Sequence, residues 1–442
     1  MQKGLGRCVG ALAGLALAAL PGMASALGLV RDAEIERTLA RLTNPILHAA
    51  SISPATVDIY IVNDRRLNAF VAGGRNIFLN TGLLMELETP EELAGVIAHE
   101  TGHIAGGHLA RRQLNARAAQ GPALIGTLLG IAAAAAGGGA AGAAIIAGSQ
   151  SAAIRSFLRY SRAEEASADQ AAIGYLERAR MSPEGLLKVI GRFRGQEVLS
   201  VGSLDPYTLT HPLSTDRMQL LERAAAQARG RSYPEDPERE YWHARMRAKL
   251  EGFLDNPERV LDRHVDAEPT ELVLYARAVA LHRLPSPREA EAAMDQLLAL
   301  RPNDAFYEEL KGQILFESGN AAAALPHYRR AVALEPKEPL LLGGLGRTLL
   351  AIGGSDADRE ALNVLERARR ADPGDASMMR SLAVAYDRAG DRGMATLLTA
   401  ERYAVTGRRE DALLHAKRAT RILPDGSPGW LRAQDILALK KE

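Results

Sequence analysis

The alternation of apolar and polar positions near the start of the chain predicts a helix followed by a small sheet. Residues 29–50 are predicted to form the helix. Residues 57–62 are β-branched and alternate in polarity, and residues 67–72 and 76–79 continue as two further short strands. Turn residues, including Gly73-Gly74, separate these runs. Together the three strands predict one small sheet.

A helix with a strong start signal follows the sheet. After a short helix at about 82–88, Thr89 is predicted to be the N-cap, Pro90 the first helical residue and Glu92 the third, as in a capping box. Apolar residues then recur at helical spacing through Ile104. A long helix is predicted at 151–180, and another begins near Ser182.

The last third of the chain has the period of tetratricopeptide-like helical repeats. Pro302 and Pro336 are 34 residues apart. The unit between them carries the small and aromatic residues of such a repeat, namely Gly312, Gly319, Ala324, Tyr328 and Ala331. The next unit has three extra residues, which we place in its inter-helix loop. Stacked helix pairs form a concave surface for a protein partner or client, although an array that only caps the preceding domain has the same pattern.

Charge and cysteine content restrict the chemistry. Lys and Arg number 54 against 53 Asp and Glu, so nothing indicates a nucleic-acid partner. Basic Lys3 and Arg7, an apolar run at 9–20 and Ala24-Ser25-Ala26 are typical of a signal peptide cleaved after Ala26, with a membrane anchor as the alternative. Cys8 is the only cysteine, so a metal site in the mature chain must use His, Asp or Glu. A cysteine-free exported chain favours the periplasm.

One apolar segment has several interpretations. Residues 121–148 are rich in Gly and Ala, carry no charge and are interrupted by three glycines. A hairpin that covers a cleft is our first interpretation, contact with a membrane surface the second, and a transmembrane pair the third.

The strongest chemical signal is His99-Glu100-Thr101-Gly102-His103, an HExxH motif inside the helix that begins near Pro90. Residues four apart lie on one helix face, so both imidazoles can bind one metal ion. Glu100 then reaches a water on that ion and can act as general base.

A third ligand is needed for a catalytic zinc. Residue 109 is Leu, so the metzincin spacing is absent, and His108 is interpreted as a partly exposed residue at the helix end. The better candidates are Glu165 and Asp169, four apart on the helix predicted at 151–180. One carboxylate can bind the metal while the other accepts the spare N–H of a ligand imidazole.

Four sequence blocks resemble the HExxH peptidases that include the CAAX prenyl proteases and the HtpX-type membrane proteases. They are residues 68–83, the motif at 99–103, Ser161-Arg162 with Glu165 and Asp169, and the segment 211–217. The resemblance spans residues 30 to about 225. It implies an α+β zincin-like metallopeptidase domain, mostly helical with a small sheet, followed by an all-α TPR-like solenoid. We therefore divide the chain into a signal peptide at 1–26, the peptidase domain at 27–228, a helical linker at 229–267 and repeats at 268–442.

The resemblance also implies roles at the matching positions. His99, His103 and Glu165 would bind one zinc ion per chain, with Asp169 behind them and Arg217 paired to an acidic group nearby. Asn68, on an exposed edge strand, would hold the substrate backbone or the oxyanion. His211 has two interpretations: it stabilises the tetrahedral intermediate, or it is a fourth ligand that keeps the enzyme latent. An exposed edge strand binds unfolded peptides by β-augmentation.

The order of signal, peptidase domain and repeats resembles periplasmic quality-control members of this family. That resemblance implies unfolded or misassembled outer-membrane proteins as clients and the β-barrel assembly machinery as a partner of the repeats. The alternative is a chaperone or scaffold for outer-membrane protein assembly with a latent, His-blocked zinc site.

Overall fold

The structure, a computed structural model, describes residues 28–111, 161–194 and 206–438. The predictions for the signal peptide at 1–26 and for the apolar segment at 121–148 fall outside these residues. In the described part of the chain, no helix combines the length and apolarity needed to cross a bilayer.

The first described elements are a short strand and a helix. Strand β1 is Leu29–Val30 and helix α1 is Ala33–Ala49. The predicted start of the helix at 29 is wrong, because Leu29 and Val30 pair with the sheet. Asp32 ends the extended segment and caps α1 by accepting hydrogen bonds from the N–H groups of Glu34 and Ile35.

A four-stranded sheet follows. Strands β2 (Ile59–Val62), β3 (Ala69–Ala72) and β4 (Asn76–Asn80) lie in the order β1-β2-β4-β3. β1 is antiparallel to β2, β2 is parallel to β4, and β3 is antiparallel to β4. Strand β3 is thus an edge strand, and it contacts the helix that carries the HExxH motif. The prediction that this edge is exposed is wrong, because all four residues of β3 are buried by the surrounding packing.

That helix is the centre of the peptidase domain. Helices α2 (Thr81–Glu86) and α3 (Pro90–Ala105) follow the sheet, and the predicted capping box of Thr89 and Glu92 is present. After them come α4 (Arg162–Arg178), α5 (Glu184–Gly191), α6 (Pro206–Thr210) and α7 (Thr215–Arg229). A Cβ atom added at Gly102 would lie 2.7 Å from the carbonyl oxygen of Ala168. Glycine therefore lets α3 and α4 approach closely, which brings the motif beside the acidic residues of α4.

The remaining helices form a bridge and a stack of pairs. The bridge is α8 (Pro237–Leu254) with α9 (Pro257–Arg263). The stack contains α10 (Glu271–His282), α11 (Pro287–Leu300), α12 (Ala305–Glu317), α13 (Ala321–Leu334), α14 (Pro339–Ile352), α15 (Ser355–Ala371), α16 (Ala376–Arg388), α17 (Arg392–Val405), α18 (Arg409–Ile422) and α19 (Pro428–Ala438). The predicted α+β domain followed by a helical-repeat solenoid is confirmed.

One detail of the repeat prediction is wrong. The three extra residues after Pro336 do not lengthen a loop, because only Gly353 and Gly354 separate α14 from α15. They extend the second helix, which has 17 residues in α15 against 14 in α13. Both linking glycines have positive φ, of 72° and 90°, so a two-residue turn is sufficient.

The peptidase domain and the repeats meet along α1. Glu34 of α1 is fully buried, and its Oε1 accepts from Arg245 Nε of α8 at 2.6 Å. Arg37, also in α1, pairs with Glu335 at 2.6 Å. Arg31, just before α1, pairs with Asp372 at 2.8 Å. The first helix of the peptidase domain is thus held by side chains from α8 and from the repeat array.

Candidate metal centre

Helices α3 and α4 and the segment after α6 bring four potential ligands together. The Nε2 atoms of His99 and His103 are 3.1 Å apart, and His211 Nδ1 is 3.3 Å from His99 Nε2. Glu165 Oε1 lies 3.1 Å from His211 Nδ1 and 3.3 Å from His103 Nε2. All four side chains are buried. They form a group that can hold a metal ion.

The spacing of these atoms fits a tetrahedral metal. Ligand atoms about 2.05 Å from a zinc ion at tetrahedral corners would be about 3.3 Å from one another. The observed 3.1–3.3 Å distances match that edge length. Three imidazole nitrogens and a carboxylate oxygen are also the donor types that divalent transition metals bind. The residues present therefore fit the metal that the HExxH motif indicates.

A buried ion-pair network contacts two of the potential ligands, His99 and Glu165. Asp169 Oδ1 lies 2.9 Å from His99 Nδ1, which orients the ring so that Nε2 faces the other ligands. Arg217 of α7 pairs with Asp169 at 2.6 Å and with Glu165 Oε2 at 2.6 Å. Burial alone would raise the pKa of Glu165, but His211 and Arg217 hold it well below its usual range. Both carboxylates are therefore kept ionised, the form in which a carboxylate binds a metal.

His108 is the residue that sequence reasoning misjudged. The expectation of a partly exposed helix-end residue is wrong, since only 2% of His108 is exposed and its Nδ1 lies 2.9 Å from Nδ1 of His103. Gly106 permits this arrangement, because a Cβ atom there would lie 2.5 Å from the His108 ring, and Gly107 turns the chain with φ of 62°. The glycine pair directly before His108 is the signal that the sequence contained.

Glu100 lies next to the candidate ligands. It is fully buried beside the ligand cluster, and neither carboxylate oxygen has a hydrogen-bond partner among the described residues. Its Oε1 lies 3.4 Å from His211 Nε2. A buried carboxylate of this kind requires a partner, and a water beside the ligands would supply one.

Aromatic packing and a backbone contact hold His211 in place. Its ring stacks on Tyr207 with a centroid distance of 4.7 Å, and Tyr207 stacks on Phe193 at 5.0 Å. His211 Nε2 lies 3.1 Å from the carbonyl oxygen of Ala69, the first residue of β3. His211 thus connects the ligand cluster to the edge strand.

Asn68 lies directly before β3 rather than within it. It is 8% exposed, and its Oδ1 accepts a hydrogen bond from Thr210 Oγ1 at 3.3 Å. Its side chain is thus engaged with the segment that carries His211.

Comparison with known proteins agrees with this geometry. Residues 30–225 match Peptidase family M48. The chain is 26% identical over 391 residues to the beta-barrel assembly-enhancing protease of Yersinia pestis. This alignment covers 87% of this chain and 79% of the relative. It is 25% identical over 409 residues to the putative beta-barrel assembly-enhancing protease of Vibrio cholerae, covering 90% and 82%. The solved structure of YrrB, a TPR protein with an unusual peptide-binding site, aligns with a TM-score of 0.32 and 21% identity over 40% of this chain and 91% of that chain. The chain is therefore a metallopeptidase whose residues 30–225 are similar to Peptidase family M48.

Proposed function

We propose that this chain is a zinc-dependent endopeptidase of the periplasm that cleaves non-native envelope proteins. In this proposal, His211 keeps the enzyme latent. The observation that carries the proposal is the position of buried Glu100 beside His99, His103 and Glu165. A purely structural metal site would not need the buried Glu100 carboxylate, which has no hydrogen-bond partner among the described residues.

The proposed roles follow from the side-chain positions. His99, His103 and Glu165 hold the zinc ion, which when bound polarises a scissile carbonyl and lowers the pKa of a water. Glu100 accepts the proton of the attacking water and passes it to the leaving amine. Asp169 orients His99. Arg217 neutralises the two buried carboxylates of α4.

The position of His211 supports latency. Its Nδ1 occupies the corner that a catalytic site leaves open for water or substrate. Rotation of His211 away from the cluster would free both this corner and the Ala69 carbonyl oxygen. An oxyanion role in the open state is compatible with that movement, because the ring would remain beside the cleft.

The client and the location are inferred from the relatives and the domain order. Relatives named beta-barrel assembly-enhancing proteases support outer-membrane proteins as clients, with the helical repeats as the surface for clients or for the barrel assembly machinery. Asn68 at the start of β3 is proposed to contact the client backbone. The segment 121–148 is proposed to cover the cleft or to contact the membrane surface.

The test compares zinc content and casein cleavage of the mature wild type with the Glu100→Gln and His211→Ala variants. One zinc per chain, loss of cleavage in Glu100→Gln and faster cleavage in His211→Ala would support a latent peptidase. Loss of cleavage in His211→Ala with zinc still bound would reject latency and support the oxyanion role. Bound zinc without cleavage by any of the three would favour the chaperone or scaffold, which the occupied fourth corner also allows.

A further inference from the structure

A cavity separate from the metal centre lies where two helices of the peptidase domain meet the first helix of the bridge. Its volume is about 290 Å³, and it opens between α1, the start of α3 and the first half of α8. The residues that form its walls and floor include Thr38, Leu42, Pro45, Leu93, Trp242 and His243. None of the metal-centre residues lines it.

The walls are suited to an aromatic ring. Leu42 and Leu93 are buried apolar side chains, and Trp242 provides a partly buried indole. An apolar cavity of about 150 Å³ is enough to bind benzene, so this cavity has room for a ring with substituents. Sites of this size and lining are typical of small-molecule or side-chain binding.

The cavity also contains hydrogen-bonding groups that need a partner. His243 is 3% exposed, and its buried Nε2 has no hydrogen-bond partner within the described ranges. Burial and the nearby Arg247 lower the pKa of His243 to about 4, so the imidazole is neutral and one ring nitrogen is an acceptor. In addition, Pro45 lacks the N–H that would bond to the carbonyl oxygen of Arg41 in a regular helix, and both residues line the cavity.

The charged residues around the cavity already have partners. Arg41 pairs with Glu238 at 3.0 Å and lies over the ring of Trp242 at 4.3 Å. Arg239 pairs with Asp236 at 3.0 Å. The cavity therefore offers acceptors and an apolar surface but no unpaired ion among the described residues that line it, which disfavours a charged ligand.

We propose that this cavity binds a phenol group, an aromatic ring with one O–H donor, whose hydroxyl donates to a ring nitrogen of His243. The group belongs to a small phenol or to a tyrosine side chain of a bound polypeptide. This site is independent of the proposed peptidase activity, and its test does not require cleavage.

Trp242 provides a local reporter of binding. The chain has two tryptophans, so a Trp430→Phe variant leaves Trp242 as the single indole. The full-length mature protein would be titrated with 4-fluorophenol, fluorobenzene and 4-fluorobenzoate. The ¹⁹F relaxation of each compound would measure its affinity. A change in the Trp242 emission would show that the compound binds in this cavity. We expect 4-fluorophenol to bind with millimolar or tighter affinity and to change the Trp242 emission, with the other two compounds at least fivefold weaker.

Two variants test the contacts. His243→Phe keeps a ring of similar size but removes both nitrogens, and it should weaken 4-fluorophenol binding at least fivefold. His415→Phe, in α18 of the repeats, is the matched control and should bind like the parent. Equal binding of all three compounds, an unchanged affinity in His243→Phe, or no binding at 10 mM would overturn the proposal and leave a cavity that holds only water.

A further titration identifies the source of the phenol group. N-acetyltyrosine amide is compared with 4-fluorophenol on the same Trp430→Phe protein. Tighter binding of the amide by tenfold or more assigns the cavity to a tyrosine side chain. Binding of 4-fluorophenol alone assigns it to a small phenol.

Discussion

His211 Nε2 lies 3.1 Å from the carbonyl oxygen of Ala69, so a residue of the candidate ligand cluster also contacts the backbone of the edge strand. The N–H of Asn80 in β4 donates to the carbonyl oxygen of Asn68 at 3.0 Å, and the same register pairs Phe70 with Phe78 and Ala72 with Asn76. Strand alternation therefore directs the backbone N–H and C=O groups of Ala69 and Val71 to the edge away from β4, which is buried in this structure. A client strand that pairs with β3 needs the carbonyl that His211 contacts. Client pairing and the latent position of His211 should exclude each other.

A proline in the edge of β3 that lies away from β4 tests client pairing. Val71→Pro removes the N–H that faces the client, so casein cleavage in the His211→Ala background should fall at least tenfold with bound zinc unchanged. Ala72→Pro is the matched control, because the N–H that it removes pairs with β4. It should instead lower the melting temperature clearly more than Val71→Pro does. Full cleavage by Val71→Pro would show that clients do not bind along β3.

Loss of His108 should weaken metal binding. Its Nδ1 lies 2.9 Å from His103 Nδ1, so it would orient the imidazole of a proposed ligand. Removal of such a partner typically reduces metal affinity about 10- to 100-fold. We expect that loss in His108→Ala, measured by competition with a chelator of known affinity. His108→Asn retains an acceptor at the δ position and should recover most of the affinity. The exposed His48→Ala is the control, and equal affinity in His108→Ala and His48→Ala would contradict the orienting role.

Local patterns explain why much of the fold could be predicted. The capping box of Thr89 and Glu92 and the i, i+4 relation of His99 and His103 depend only on residues within one or two helical turns. The 34-residue spacing of Pro302 and Pro336 reflects the repeated packing of similar units. Such features are contained in short windows of sequence, and they place the solenoid and one half of the metal centre.

Contacts between distant segments explain the errors. Leu29 and Val30 form a strand only because β2 lies beside them, and no local signal separates them from the helix that follows. The contact between His211 and Ala69 joins residues 142 positions apart and depends on the packing of Tyr207 and Phe193. His108 returns to His103 through two glycines whose effect depends on backbone angles. Each of these relationships follows from tertiary packing.

The pH dependence of stability should reflect Glu338, the N-cap of α14. Burial, together with the nearby charge of Glu36, raises the pKa of Glu338 to about 7. Its pKa in the unfolded chain is about 4.3, so the folded state binds the proton more tightly. That contribution to stability is fully present below about pH 4 and is lost as the pH rises through 7.

The expected result is a difference between wild type and Glu338→Gln that changes with pH. The amide introduced by this substitution retains an oxygen that can accept from the N–H of Leu340, as the Glu338 carboxyl does at 3.4 Å. Between about pH 6 and pH 8, the free energy of unfolding of the wild type should fall by about 1 kcal/mol relative to this variant. Urea denaturation of both proteins at pH 6 and pH 8 measures this difference in the free energy of unfolding. A constant difference would mean that the Glu338 carboxyl does not titrate in this range.

The junction between peptidase domain and repeats depends on one carboxylate. Glu34 Oε1 accepts from Arg245 at 2.6 Å, while Oε2 lies 3.3 Å from Lys249 Nζ and accepts from the hydroxyl of Tyr275. Arg245 also donates to Asp304 at the start of α12, at 2.8 Å. The side chains of Glu34 and Arg245 are fully buried, so both cations depend on Glu34 for part of their compensation.

Removal of the Glu34 charge should therefore uncouple the two parts of the molecule. Among the described ion pairs, Glu34→Gln leaves Arg245 paired with Asp304 and Lys249 paired with Asp32. The loss should lower the free energy of unfolding by about 3 kcal/mol. Release of bound zinc reports the peptidase domain, and the emission of Trp430 in a Trp242→Phe variant reports the last helix of the repeats, α19. In urea both reporters should unfold together in the wild type and at separate midpoints in Glu34→Gln. Glu36→Gln, whose partly exposed carboxylate pairs with Arg31 just before the same helix, should change stability by less than about 1 kcal/mol. Coincident midpoints in Glu34→Gln would mean that apolar packing around α1, rather than this ion-pair network, couples the repeats to the peptidase domain.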